Sequence, residues 1–184
     1  MDANQITKKE LRNRYRHDRE LAYLPASWSH ITDASEFSGA RTIATYLSYD
    51  FEPSTVELNA EILRRGLTLV VPRMLPDNDL SWHVWDGSEQ SLKKRGKVKE
   101  PVLGAEVNPE EIDVVIVPAL HVNRNGYRLG QGGGSYDRAL AKIQAWSVAL
   151  IYPHEITSEH LPVDSHDQPV NAAATPDLII RFTR

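Results

Sequence analysis

The chain has 184 residues, 41% of them hydrophobic and 25% charged, with a formal net charge of -4, which is enough for one domain with a real core and short for two. That balance excludes a chain built to coat nucleic acid through a basic excess, and the absence of cysteine excludes disulfides, thiolate metal sites and cysteine nucleophiles. No apolar run approaches the roughly 20 residues of a membrane span and the N-terminus has no apolar signal core, so a single cytoplasmic domain over 1–184 is expected, monomeric and without nucleic-acid or membrane partners.

In chain order, the stretch from Gln5 to Tyr23 is rich in Lys, Arg, Glu and Leu and predicts a helix. Thr7 stands at its N-cap with Glu10 three residues on, a capping-box spacing, and Pro25 stops it. A second short helix is expected over Ser27 to Glu36. Thr42 to Ser48 is β-branched and apolar, which predicts a buried strand. Pro53 to Arg65 puts Val56, Leu58, Ile62 and Leu63 roughly on one helix face, and Gly66 ends it. Leu67 to Pro72 and Leu80 to Trp85 read as strands, the second flanked by the turn residues Asp77, Asn78, Asp86 and Gly87. Gly87 to Glu111 is polar and irregular, with Lys93, Lys94, Arg95, Lys97 and Lys99 clustered. Asp113 to Pro118 is a strand of Val and Ile. A glycine-rich loop follows, then a helix from Ser135 or Tyr136 to about Gln144 and a strand from Ser147 to Tyr152. After a polar loop with Pro153, Pro162 and Pro169, Leu178 to Phe182 closes the chain as a strand. Strands apolar on both faces, alternating with helices, predict a three-layer αβα domain, Rossmann-like, with a mostly parallel central sheet. Such sheets bind ligands outside the carboxyl ends of their strands, so the loops after Ser48, Pro118 and Tyr152 should share one crevice.

The glycine loop carries the chemistry. Gly130, Gly132, Gly133 and Gly134 fall within five positions, so backbone N–H groups can approach an anion with no side chain in the way. A helix start just beyond adds its positive end, and Arg128 adds a fork for phosphate. A Walker loop would need Gly-Lys-Ser/Thr at its end, where Ser135-Tyr136 follows Gly134. A dinucleotide loop would need a glycine where Ser135 stands. Asp137 in the first turn would repel a bare anion. Either it merely stabilises the helix start, worth about 0.3–1 kcal/mol, or a Mg²⁺ bridges it to a nucleotide. Arg128 and the four glycines beside it favour the metal.

From Pro118 to Arg138 the chain resembles the signature of the 5-formyltetrahydrofolate cyclo-ligases, also called methenyltetrahydrofolate synthetases. Gly126, Arg128, Leu129, Gly130, Gly132, Gly134, Tyr136 and Asp137 match it in order. Three more segments resemble that family: the entry helix Lys8-Lys-Glu-Leu-Arg12, the segment Tyr46 to Thr55, and the loop Leu161 to Asp167. Glu100-Pro101 resembles a pair recurrent in bacterial members. The resemblance implies an ATP-dependent closure of 5-formyltetrahydrofolate to 5,10-methenyltetrahydrofolate, with ADP and phosphate released by way of a phosphorylated formyl group. It implies Lys8, Arg12 and Arg128 on the triphosphate, with Lys8 and Arg128 catalytic, and a cradle of Leu129, Gly130, Gln131, Gly132, Gly133, Gly134, Ser135 and Tyr136. It implies Leu47, Glu52 and Tyr136 on the folate, and Asp137 and Asp167 on Mg²⁺. The departures are Asn123 for a common Asp, Gln131 for an aromatic or basic residue, Ser135 for a Tyr, and Asn171 for an acidic residue. All four are expected to border the two pockets.

Other signals have plainer readings. Lys9, Arg14 and Arg19 read as a solvated helix face. His121 reads as a strand-end residue with a structural hydrogen bond. His154, His160 and His166, six apart, fit no common ligand spacing and read as surface residues. Trp82 and Trp85 should point to opposite faces of a strand, one into the core and the other available to line the folate site. Two other functions stay open on the residues alone: a sugar-phosphate isomerase, which would leave Lys8, Arg12, Asp137 and Asp167 idle, and a non-catalytic binder of folate or nucleotide.

Overall fold

The computed structural model describes residues 6–158 and 161–183. Helix α1, Lys8–Leu21, begins at the expected capping box: Thr7 Oγ1 accepts from the Glu10 amide, and the Glu10 carboxylate accepts from the Thr7 amide at 2.8 Å. The expected start at Gln5 lies outside the described residues. Ser27 to Glu36 is not one helix. It forms two 3-10 turns, Ser29–Asp33 and Ser35–Phe37, which suit a short segment that has to bury Trp28, Ile31 and Phe37 in quick succession.

Strand β1 is Thr42–Ala44, shorter than expected, because the chain leaves the sheet to build a loop over its end. Helix α2 is Val56–Arg64, and strand β2 is Thr68–Met74. Strand β3, Leu80–Val84, returns antiparallel to β2. The stretch expected to be irregular holds a hairpin, β4 Leu92–Arg95 with β5 Val98–Pro101, and a short edge strand β6, Glu106–Val107. Then come β7, Val114–Pro118; β8, His121–Asn123; and β9, Arg128–Leu129. Helix α3 spans only Ser135–Leu140. Strands β10 Trp146–Leu150, β11 Ile156–Thr157, β12 Ala172–Ala174 and β13 Ile179–Arg181 complete the chain. The alanine strand β12 has no counterpart among the expected elements.

The main sheet runs β13-β12-β10-β7-β1-β2-β3-β6. Its centre, from β12 to β2, is parallel, and the antiparallel strands lie towards its edges. One face packs on α2 and the 3-10 turns through Trp28, Ile31, Leu58 and Ile62. The other packs on α3 and the chain after it through Ala139 and Ile143. This is the expected three-layer α/β architecture. From β1 the chain passes to β2 on one side, whereas β7 lies on the other side of β1. The two connections diverge there, leaving a crevice at the carboxyl ends of β1 and β7.

Candidate active site

A cavity of 510 Å³ occupies that crevice. Tyr46 and Leu47 reach it from beyond β1, Pro118 and Ala119 from the end of β7, and the glycine loop closes one side. Every residue assigned to a ligand from the sequence lines it: Lys8, Arg12, Leu47, Glu52, Arg128, the run from Leu129 to Asp137, and Asp167. Leu129 also belongs to a separate buried cluster with Leu11, Tyr15, Leu120 and Leu161.

Lys8 and Arg12 of α1 and Arg128 bring cations to the cavity wall. Lys8, Arg12 and Arg16 are four residues apart and share a face of α1. Lys8 Nζ lies 2.5 Å from Asp167 Oδ2 and 2.6 Å from Asp164 Oδ2. Burial opposes its charge, but the hydrogen bonds to Asp164 and Asp167 hold its pKa above the usual lysine value. Arg12 Nε donates to Gly130 O at 2.9 Å, and Arg16 Nε donates to Gln131 Oε1 at 2.8 Å. The Arg128 side chain is buried, with its NH1 donating to Gln168 O at 2.7 Å and lying 3.1 Å from Asp137 Oδ1. Burial lowers its pKa, with Asp137 opposing that effect. Its buried Nε has no partner among the described residues, a cost the site carries that an acceptor in the cavity would relieve. Gly132 (φ +110°) and Gly134 (φ +69°) bend the loop where a side chain would be strained.

Apolar side chains share the lining with these cations. Leu47, Pro72, Met74 and Leu80 line the cavity with Tyr49, Glu52 and Tyr136. Burial pushes the Glu52 carboxyl up to about 7, against the hydrogen bond that it accepts from the Tyr49 amide at 3.3 Å. Burial likewise raises Tyr136, so it stays a phenol. The β4–β5 hairpin contributes Arg95, Val98, Lys99 and Glu100, and Lys97 pairs with Asp50 at 2.5 Å across to the loop that carries Glu52. The sequence reading missed this wall. Its signal was Gly96-Lys97, a two-residue hairpin turn with glycine at the first central position (φ +63°).

Several expectations need correcting. Arg19 is not solvated. It is 4% exposed and forms a fork with Glu155. Both Trp82 and Trp85 are core residues, on opposite faces of the sheet, and neither lines the cavity. Asn123 and Asn171 stand away from the cavity. Asn123 Oδ1 accepts from the Asn125 and Tyr127 amides and shapes the β8–β9 turn, while Asn171 Oδ1 accepts from the Ser147 amide and hydroxyl beside β12. His166 is exposed as expected, yet it also lines the cavity beside Asp164 and Asp167, with ligand atoms of all three within 4.8 Å of one another. Asp137 is outside that trio. His154 is exposed as expected, and His160 lies outside the described residues. His121 has the structural role expected: it stacks on Tyr15 at 3.5 Å, bonds to Leu120 O, and burial lowers its pKa to about 4.

An anion suits Lys8, Arg12 and Arg128, with the unpartnered Arg128 Nε as the clearest mark, and the described groups whose ligand atoms lie close enough for a cation are Asp164, His166 and Asp167, with Asp137 paired to Arg128 instead. The fold is a three-layer α/β domain with one cavity, lined by cationic, glycine-loop and apolar residues, at the carboxyl ends of its central strands. The sequence profile of the 5-formyltetrahydrofolate cyclo-ligase family matches residues 6–176. The chain is 33% identical over 146 residues to the 5-formyltetrahydrofolate cyclo-ligase of Escherichia coli (strain K12), covering 76% of this chain and 80% of that one. It is 32% identical over 147 residues to the enzyme of the same name from Mycolicibacterium smegmatis, covering 74% of each. The solved structure of Aquifex aeolicus 5,10-methenyltetrahydrofolate synthetase superposes with a TM-score of 0.82 at 28% identity, covering 97% of this chain and 94% of that one. The chain belongs to the 5-formyltetrahydrofolate cyclo-ligase family, and it is an enzyme of the cyclo-ligase class.

Proposed function

We propose that the protein closes 5-formyltetrahydrofolate to 5,10-methenyltetrahydrofolate at the expense of ATP, releasing ADP and phosphate. The observation that carries this reading is one cavity lined both by Lys8, Arg12, Arg128 and the glycine loop and by Leu47, Glu52 and Tyr136. The N-formyl oxygen is a poor leaving group. In the proposed reaction it attacks the γ-phosphorus and ADP leaves. N10 of the folate then attacks the formyl carbon, loses its proton, and phosphate departs with the former formyl oxygen. Phosphoryl transfer needs alignment and charge neutralisation more than a covalent nucleophile, which suits a cavity rich in cations.

Lys8, Arg12 and Arg128 hold the triphosphate, with Lys8 and Arg128 nearest the transferred group, and the backbone from Gly130 to Gly134 cradles it. Gln131, Ser135 and Tyr136 line the nucleotide path, and Tyr136 also meets the folate. Asp137 and Asp167 would hold Mg²⁺, which would supply positive charge to offset that of the phosphates. Glu52 accepts hydrogen bonds from the pterin ring while Leu47 packs on it. The pterin N–H groups would draw the Glu52 carboxyl, balanced near neutrality, into its ionised form.

With 5-formyltetrahydrofolate and Mg-ATP, methenyltetrahydrofolate absorbance is expected to rise, and to stay flat when ATP is omitted. Arg128→Ala should raise the ATP KM and lower kcat. Product formed without ATP would refute the mechanism, and an Arg128→Ala enzyme turning over like its parent would refute the phosphate assignment.

A further inference from the structure

Helix α1 carries the cations Lys8, Arg12 and Arg16, and these same side chains, with Tyr15 stacked on His121, are among its ties to the rest of the chain. Its buried side chains Leu11 and Tyr15 belong to a small cluster with Leu120, Leu129 and Leu161, separate from the clusters that cover the two faces of the sheet. Four residues further along the same stripe stands Arg19. Its Nε and NH2 each donate to one Glu155 oxygen, both at 2.6 Å, and NH2 also donates to Ala119 O at 2.5 Å. Glu155 is itself fixed, because Oε2 accepts from the Tyr152 amide at 2.8 Å. The Arg19 guanidinium lies 5.7 Å from the Tyr152 ring. One side chain therefore ties α1 to the segments leaving both β7 and β10. Ala119 is also part of the cavity wall.

A buried ion pair is seldom a better stabiliser than an apolar pair of the same volume. What a fork provides is direction. Two parallel bonds to one carboxylate fix distance and rotation together, which an apolar contact does not. Lys8 lies eleven residues from Arg19, about 16 Å along the helix. A tilt of about 5° at the Arg19 end would move Lys8 by roughly 1.4 Å over that length. A misplacement of about 1 Å is enough to cost a catalytic site orders of magnitude.

We propose that Arg19 and Glu155 are positioning residues for nucleotide binding: their fork sets the tilt and rotation of α1 and so aims Lys8 and Arg12 at the phosphates without touching them. The proposal rests on the reading that these α1 cations bind ATP. Removing one partner alone would strand a buried charge, so the informative variant is the double R19M/E155M, which removes both. Its Mg-ATP affinity, measured by calorimetry, should fall at least tenfold, while its affinity for 5-formyltetrahydrofolate stays within threefold and its melting temperature within a few degrees of the parent. Amide exchange across residues 8–21 should quicken in the ligand-free chain. R19K, which keeps the charge but loses the fork, should give an intermediate ATP affinity with folate binding unchanged, and it decides the matter if the double variant does not fold. A folded R19M/E155M with parental ATP affinity, or with both ligands weakened by the same factor, overturns the proposal, as does an R19K with parental ATP affinity. If the parent itself does not bind Mg-ATP, the functional reading fails. The anchor is then judged by exchange alone: quickening confined to 8–21 upholds it, and unchanged exchange refutes it.

Discussion

Glu52 is 7% exposed, and burial lifts its carboxyl from 4.5 to about 7. Between those values the folded chain keeps a proton that the unfolded chain has lost. Stability therefore falls as pH rises through this window, and the penalty is complete above the folded value. The gap corresponds to about 3 kcal/mol. Glu52→Gln removes the titration but retains an acceptor for the Tyr49 amide. Denaturation at pH 8 should show the variant more stable by about 2–3 kcal/mol, with the gain gone by pH 4, while its KM for 5-formyltetrahydrofolate rises. A gain independent of pH would mean that this carboxyl is not raised on folding and that Glu52 lowers stability by another route. Glu52 was legible only through the family resemblance, since an isolated Glu before Pro53 carries no signal by itself. Arg19 was legible in principle, because Leu11, Tyr15 and Arg19 form an i, i+4, i+8 row. A charged residue in an apolar stripe was read by its type rather than its position.

Among the elements, the glycine loop shows how backbone shape controls a side chain. A Cβ at Gly132 would face a φ of +110° and meet the Arg12 guanidinium carbon at 3.3 Å. At Gly130, where φ is ordinary, it would meet nothing within 4 Å of protein. Gly132→Ala thus has to relax the loop at a cost of about 1–3 kcal/mol of backbone strain, and the relaxation moves the partner of Arg12. Initial rates at varied ATP should give at least a tenfold loss in kcat/KM for Gly132→Ala. Gly130→Ala should melt like the parent, so loss in both variants with equal loss of stability would refute the distinction. Central strands of Val and Ile were legible because their pattern admits little else. The β12 strand was not: alanine favours helices, and only burial between β10 and β13 draws Ala172–Ala174 into the sheet. The β4–β5 hairpin was hidden by its exposed lysines, which erase the alternation that marks a half-buried strand.

For the whole molecule, charge balance in the crevice determines how ligands couple to folding. Lys8 is already paired with Asp164 and Asp167, and Arg128 with Asp137. A triphosphate arriving alone has to share those cations with the carboxylates and faces the carboxylates themselves. Mg²⁺ would turn that repulsion into a bridge. ATP with Mg²⁺ should therefore stabilise the fold much more than ATP with a chelator. At a concentration of about 100 Kd, a ligand adds about 2.7 kcal/mol. For a chain of 184 residues, where each kcal/mol moves the midpoint by roughly 2–4 °C, that is a rise of roughly 5–11 °C. With the chelator present, less than half of that rise is expected at the same ATP concentration. Asp167→Asn should narrow the difference between the two conditions, since it removes one of the charges that the metal offsets. Equal stabilisation with and without the metal in the parent would show that Asp137 and Asp167 serve Arg128 and Lys8 rather than a cation, and that the nucleotide end works by arginine and lysine alone.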